Sequence, residues 1–311
     1  MKAENNRVLL IALAANVGIA VAKFVAAAIT GSSAMLTEGV HSLVDSTNQL
    51  LLLYGQKRAA KAPDAIHPGG YGRELYFWSF IVALLVFALG AGVSVYEGIV
   101  HINAPEDAVS PIIGYIVLAV AFLLEGGSTL AAFRDFSAGR KGKSWWRALT
   151  DTKDPTTVII LLENGAAMAG ILVAAIGLGL SQITGDPRFD GVASVLIGLL
   201  LASVAIFLAR EAKGLLIGEA ADPDMVAELR SMAARDGITG IGEIVTIHNA
   251  PTQILVAMNV DFDNRLGAGD VERIVSEMER DIQTRFSSVT RVYVRPHEDA
   301  GMKFGAGRGL T

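Results

Sequence analysis

Six apolar runs fill the first 210 residues: 8–29, 34–54, 75–100, 111–133, 154–180 and 189–208. A bilayer core of ~30 Å needs roughly 20 helical residues, so each run predicts a membrane-spanning helix. The second run is unusually polar. The fifth opens on Asp154-Pro155, an N-cap followed by proline at the first helical position, where a missing N–H costs nothing. After Arg210 the pattern changes. Residues 222–235 read as a helix and 243–248 as a short strand. In 253–262, Ile254, Val256, Met258, Val260 and Phe262 share one face, the mark of a half-buried strand. In 269–286, Val271, Ile274, Val275, Met278 and Ile282 fall on one helical face, and 291–295 is a last strand. The order αββαβ predicts a small ferredoxin-like α+β sandwich, with its helices on one face of a three-stranded sheet. The fold class is therefore an α-helical membrane protein of six transmembrane helices followed by a small cytoplasmic α+β domain. The expected organisation is a transmembrane domain over 1–210, the α+β domain over 211–298, and a Gly-rich, disordered tail over 299–311.

Composition supports this division. Hydrophobic residues make up 52% of the chain and charged ones only 18%, outside the range of an ordinary soluble domain. The charges are sparse before position 208 except in short clusters, and frequent after Arg210. A net charge of -5 argues against nucleic acid as a partner. The chain has no cysteine, which excludes disulfides, thiolate metal sites and cysteine nucleophiles. The first apolar run is too long for a signal-peptide core, so no cleaved leader is expected.

Basic residues set the orientation. Lys2 and Arg7 precede the first run. Lys57, Arg58, Lys61 and Arg73 follow the second, and Arg134, Arg140, Lys141, Lys143, Arg147 and Lys153 follow the fourth. The alternate loops are nearly bare of Lys and Arg. By the positive-inside rule both termini are cytoplasmic, and a bacterial inner (plasma) membrane is the expected location. Ser144-Trp145-Trp146-Arg147 reads as an interfacial anchor.

The strongest chemical signal lies in the second run. Glu38, His41 and Asp45 stand at i, i+3 and i+7 and share a helical face, which Asn48 and Gln49 continue. Ionisable groups at membrane depth are expensive and mark ion or substrate paths. His41 and Asp45 can offer a nitrogen and an oxygen to one metal ion. A stripe that only joins helices is the competing reading, but such contacts are worth only about 0.6–2 kcal/mol. The fifth run adds Glu163 and Asn164 in an otherwise apolar stretch. Asp45 and Glu163 would balance a divalent cation, with His41 as a neutral ligand and Asn164 or water as a fourth. The alternative for Glu163 is a structural ion pair with Lys23 of the first run. Asn16 and Glu125 read as helix-packing groups, and Asn16 and Glu38 as accessory polar groups. His67 and His101 read as surface residues. His248 and His297 would make a cytoplasmic metal site if the sheet brings them together.

The stretch from Gly31 to Asp45, Gly-Ser-Ser-Ala-Met-Leu-Thr-Glu-Gly-Val-His-Ser-Leu-Val-Asp, resembles the second-helix signature of the cation diffusion facilitators. His67-Pro68-Gly69-Gly70-Tyr71-Gly72-Arg73 resembles the loop that follows it, and the layout agrees over nearly the whole chain. Lys153-Asp154-Pro155 through Leu162-Glu163-Asn164 is similar to the branch that includes the mitochondrial zinc exporters of animals. The resemblance implies a homodimer that exchanges cytoplasmic metal for protons. It implies a transport site joining His41 and Asp45 to a second pair on the fifth helix. There the chain departs from the pattern. Ile159 and Ile160 stand where an upstream ligand belongs, and the branch's Glu-Asp pair is Glu163-Asn164 here. The expected cargo is Zn2+, with Mn2+, Fe2+, Co2+ and Cd2+ as further candidates; no cofactor is expected. An oxygen-rich site would favour manganese or iron. A membrane-embedded metal-dependent enzyme and a metal sensor without transport are the readings from other classes.

Overall fold

A computed structural model describes residues 2–105, 111–140, 142 and 144–297. The expected tail over 299–311 lies outside the described residues. The chain divides into two compact units, 1–214 and 215–311.

The first unit is helical. Its elements are α1 (Lys2–Thr30), α2 (Ser33–Ala59), α3 (Glu74–Leu85), α4 (Gly92–Asn103), α5 (Pro111–Gly139), α6 (Trp145–Asp151), α7 (Pro155–Thr184) and α8 (Arg188–Ile217). A π-helical turn, Val86–Ala91, joins α3 to α4 in one rod. Among the described residues, four segments are long and apolar enough to cross a bilayer: Glu74–Asn103, Ile112–Gly139, Pro155–Thr184 and Arg188–Ile217. Asn16–Thr30 forms a shorter apolar helix. The 27 residues of α2 would reach ~40 Å. The polar stripe of α2 separates it from those four.

The polar helix lies at the centre of the unit. It packs against α1, α3, α4 and α7, while α5 covers α1 and α7. Ser33, Thr37, Glu38, His41, Ser42, Ser46 and Asn48 of α2 are all buried. Small residues let α4 and α8 approach closely. A Cβ on Gly98 would meet the Gly191 carbonyl at 2.6 Å, and one on Gly191 the Gly98 carbonyl at 2.9 Å, as in small-residue membrane packing. The start of α2 is held by Asp190 of α8, whose carboxylate accepts from Ser32 Oγ (2.7 Å), Ser33 Oγ (3.1 Å) and the Ala34 N–H (3.2 Å).

The loop after α2 is closed by Asp64. It accepts from the Tyr71 hydroxyl (2.7 Å) and from the N–H groups of His67 (2.8 Å) and Ile66 (3.0 Å). Lys61 lies over the Tyr71 ring, 4.4 Å from its centroid. The His67 ring packs on Tyr71 at 4.3 Å, so this histidine has a loop-building setting. Asp154 caps α7 through the Thr156 N–H (3.1 Å), ahead of Pro155. The Trp145-Trp146 segment, read from sequence as a loop anchor, is the short helix α6. Trp145 stacks on Phe133 at 4.1 Å while Trp146 stays exposed.

The second unit runs α9 (Pro223–Ala233), β1 (Ile238–Ala250), β2 (Gln253–Phe262), α10 (Ala268–Arg285) and β3 (Val289–Pro296). The sheet order is β1-β2-β3, with β1 antiparallel and β3 parallel to the central β2. Ile254, Val256, Met258 and Val260 form the buried face of β2, packed with Leu229 and Ala233 of α9 and Met278 and Ile282 of α10. The first strand starts five residues earlier than the pattern indicates. Its Gly240 and Gly242 lie among register shifts that interrupt the alternation.

Candidate functional site

His41 and Asp45 lie one turn apart on α2, with His41 Nε2 3.5 Å from Asp45 Oδ2. His41 is buried, and neither ring nitrogen has a hydrogen-bond partner among the described residues; the same holds for Asp45 Oδ1. Protein interiors rarely leave such groups unpaired. The spacing has a chemical meaning. Two donors each ~2.0–2.1 Å from a tetrahedral zinc stand about 3.3 Å apart, close to the gap observed.

Glu163 joins this pair from α7. It is buried, and its Oε1 accepts from Asn48 Nδ2 at 2.6 Å. Asn48 follows Asp45 by three residues and stands on the same stripe. It fixes the Glu163 carboxylate and keeps its own Oδ1 unpartnered. Sequence reading placed Asn48 on the stripe but not in the site. The 41, 45, 48 spacing was the available signal; the partner on α7 emerges only from helix docking. No three His, Asp or Glu side chains among the described residues already stand together as a metal-ligating cluster. The candidate site is two polar halves, His41–Asp45 on α2 and the Glu163–Asn48 pair between α7 and α2.

A cavity of about 530 Å³ opens beside them. Asp45, Glu163, Gln49, Asn16, Glu125 and Asn164 contribute to its walls. Asn164 lines this cavity with Asp45 and Glu163 and also contacts α5. It follows Glu163 by about 100° around the helix, and its amide donates to Ser128 Oγ of α5 at 3.4 Å. Asn16 borders the cavity from α1.

Lys23 does not pair with Glu163. Its ammonium donates to Glu38 Oε2 (3.1 Å), Glu125 Oε1 (2.8 Å) and Ser42 Oγ (2.8 Å). Glu38 is therefore an ion-pair partner, and Glu125, read from sequence as a packing residue, closes a three-helix charge cluster. At the far end of α4, His101 is buried with Nε2 4.0 Å from Asp190 Oδ2, rather than on the surface.

The sheet keeps His248 and His297 apart. His248 pairs in register with Ile254, whereas the His297 N–H donates to the Val260 carbonyl at 2.9 Å. Six residues along β2 is roughly 20 Å, so the two imidazoles share no metal. His248 is buried, with its Nδ1 3.4 Å from the Ala250 carbonyl, and its backbone N–H donates to the Glu219 carbonyl at 3.0 Å.

A helical membrane unit whose central helix buries unpaired ligating groups beside a polar cavity defines a membrane transport protein. Residues 9–217 match the cation efflux transmembrane domain. The chain belongs to that family, whose members are transporters and not enzymes. It is 32% identical over 271 residues to the "Proton-coupled zinc antiporter SLC30A9, mitochondrial" of Xenopus laevis, covering 84% of this chain and 48% of that protein. It is 34% identical over 211 residues to "Metal tolerance protein C4" of Arabidopsis thaliana, covering 67% of this chain and 46% of that one. The "Manganese efflux system protein MneP" of Bacillus subtilis (strain 168) is 21% identical over 304 residues, 93% of this chain and 95% of that protein. The chain thus spans about half the length of the first two relatives. Their similarity agrees with the branch resemblance carried by residues 153–164.

Proposed function

We propose that the protein exports a divalent cation, Zn2+ foremost, from the cytoplasm in exchange for protons. His41, Asp45 and Glu163 bind the ion, and Asn48 holds Glu163 in place. The observation that carries this reading is the His41–Asp45 pair, spaced for one ion, with unpartnered donor atoms beside the buried Glu163 carboxylate. Asp45 and Glu163 bring two negative charges to a divalent ion, and His41 adds a neutral nitrogen. Ligands must lose their protons before they bind metal. Metal entry therefore displaces protons, and proton return from the other side displaces metal. Alternating access follows from rocking of the helices around a site near the bilayer midplane.

In this reading all six long helical segments span the membrane, α1 and α2 included, and both termini face the cytoplasm of a bacterial inner membrane. The α2 stripe is compatible with spanning because neighbouring helices cover it. The protein works as a homodimer. The zinc antiporter among the relatives supports zinc and proton coupling. A manganese reading is favoured by one observation: the site offers carboxylate and amide oxygens but a single imidazole, and oxygen-rich sites suit harder ions.

Purified protein in liposomes, loaded with a metal-sensitive dye and exposed to Zn2+, Mn2+, Fe2+, Co2+ and Cd2+ under a proton gradient, tests the reading. Zinc flux that collapses with the gradient is expected. Flux of manganese without zinc would transfer the assignment to the oxygen-site reading, and flux of neither would refute transport.

A further inference from the structure

We propose that Glu125 is a proton-carrying site separate from the metal ligands, tuned by the fixed Lys23–Glu38 pair. The inference rests on the antiport reading and names a group that carries part of its proton traffic.

The argument begins with hydrogen-bond count. An ammonium has three donors and no acceptor. All three of Lys23's reach acceptors: Glu38, Glu125 and Ser42. That geometry belongs to a charged lysine. Two carboxylates against one ammonium leave one surplus negative charge inside the membrane unit. Each carboxylate gives one oxygen to Lys23 and keeps the other, Glu38 Oε1 and Glu125 Oε2, buried without a hydrogen-bond partner among the described residues. Buried charge without compensation is costly at membrane depth. One proton on an outer oxygen removes the surplus.

The surroundings select which carboxylate exchanges that proton. The Glu38 side chain is 0% exposed, like Lys23. Its outer oxygen lies against Gly170 of α7, where a Cβ would collide with it. Glu38 is thus the permanent counter-ion of Lys23. Glu125 lines the cavity shared with Asp45 and Glu163, and Glu38 does not; although Glu125 Oε2 is itself buried, the cavity wall it belongs to is its route for protons. The ionisable groups lining this cavity are Asp45 from α2, Glu125 from α5 and Glu163 from α7; behind them Lys23 from α1 and Glu38 from α2 join Glu125, and His41 from α2 stands beside Asp45. A divalent ion at Asp45 and Glu163 repels a proton on Glu125. When the ion departs, the surplus negative charge draws a proton back. Metal and proton occupancy are then linked reciprocally through the cavity, without a shared ligand.

The test counts protons. Full-length protein in detergent is titrated with zinc in lightly buffered solution containing a pH indicator, for wild type and Glu125→Gln. The proposal expects proton release to fall by about one per bound zinc in the variant. An unchanged count overturns it. Zinc binding by wild type without any proton release overturns the antiport reading and this inference together. Should Glu125→Gln not fold, Glu125→Asp retains the carboxyl. Infrared difference spectra must then show that a protonated-carboxyl band lost on zinc addition differs in frequency between Glu125→Asp and wild type. An identical band excludes Glu125 as the proton carrier.

Discussion

His41 and Asp45 are costly residues for a membrane helix, because their polar atoms are withdrawn from water without replacement partners. Removing them should therefore cost function and not stability. His41→Ala and Asp45→Ala are each expected to lower zinc transport in liposomes by roughly 100-fold or more, the scale for losing one ligand of a site with few. Their melting temperatures should stay level or rise, since a site strained for function gains stability when relieved. A melting temperature lowered in step with activity would make the pair structural. Glu163 and its neighbour should behave differently from each other. Glu163→Ala removes a carboxylate aimed at the α2 stripe and should also lose transport. Asn164→Ala removes an amide bonded to Ser128 and should change zinc affinity by less than about 3-fold, as expected for a group that does not touch the ion. Calorimetric titration separates the two, and equal losses would restore Asn164 to the ligand set. At this scale the sequence was informative where one helix carried the whole pattern. The 41, 45, 48 stripe is legible because helical periodicity alone aligns it. The partners of Lys23 were not, since Glu38 and Glu125 reach it from two other helices whose register no local rule supplies. His248 and His297 failed for the same reason, since strand register decides their separation.

The helices and loops carry their own dependences. Asp190 is a single residue of α8 on which the start of α2 depends. Asp190→Ala would leave the Ser32 and Ser33 hydroxyl protons and the Ala34 N–H without their acceptor, while Ser32 keeps its cap on the Met35 N–H, at roughly 2–4 kcal/mol for the lost charge-assisted bonds. A clear drop in melting temperature in detergent is expected, and an unchanged one would show that water replaces the carboxylate. The loop after α2 depends on Asp64 in a pH-dependent way. The Tyr71 hydroxyl, then the His67 N–H, hold its carboxyl well below the usual carboxylate range. A depressed folded value means stabilisation that is fully present above the ordinary pKa of ~3.9 and lost as pH falls through the folded value. Amide-exchange protection across 61–74, taken relative to the intrinsic rate at each pH, should thus be level from pH 7 to about 4, then fall below. Asp64→Asn should exchange faster than wild type throughout the upper range, with the difference closing in acid. A constant difference at all pH values would remove the carboxylate from the explanation. The element boundaries follow the same logic. Asp154-Pro155 announces α7 because cap chemistry is local. The α3–α4 rod contains a π-helical turn that hydrophobic spacing does not reveal, and β1 extends through glycines that carry no side-chain pattern.

For the whole molecule, the decisive feature is that, among the described residues, the helices of the second unit cover one face of its sheet. Helices α9 and α10 bury Ile254, Val256, Met258 and Val260. On the opposite face the register aligns Val245, Ala257 and Tyr293 across all three strands, with Val245 40% and Tyr293 52% exposed. An aromatic and a β-branched residue aligned across a small open sheet mark an interaction surface more than a solvated one. A second copy of the chain is the occupant that fits the homodimer proposal, because an isologous contact presents each residue of the patch to the same patch on its partner. A charge at the centre of such a face then appears twice. Tyr293→Lys would also remove an aromatic ring of the kind that dominates interface energetics. The full-length protein in detergent should sediment as a dimer, with Tyr293→Lys weakening association by at least about 10-fold, equivalent to ~1.4 kcal/mol. The variant lies away from the α9–α10 core, so its melting temperature above the dissociation range should match wild type. A wild-type monomer over a wide concentration range would refute the dimer. A wild-type dimer indifferent to Tyr293→Lys would move the contact from this face to the membrane helices.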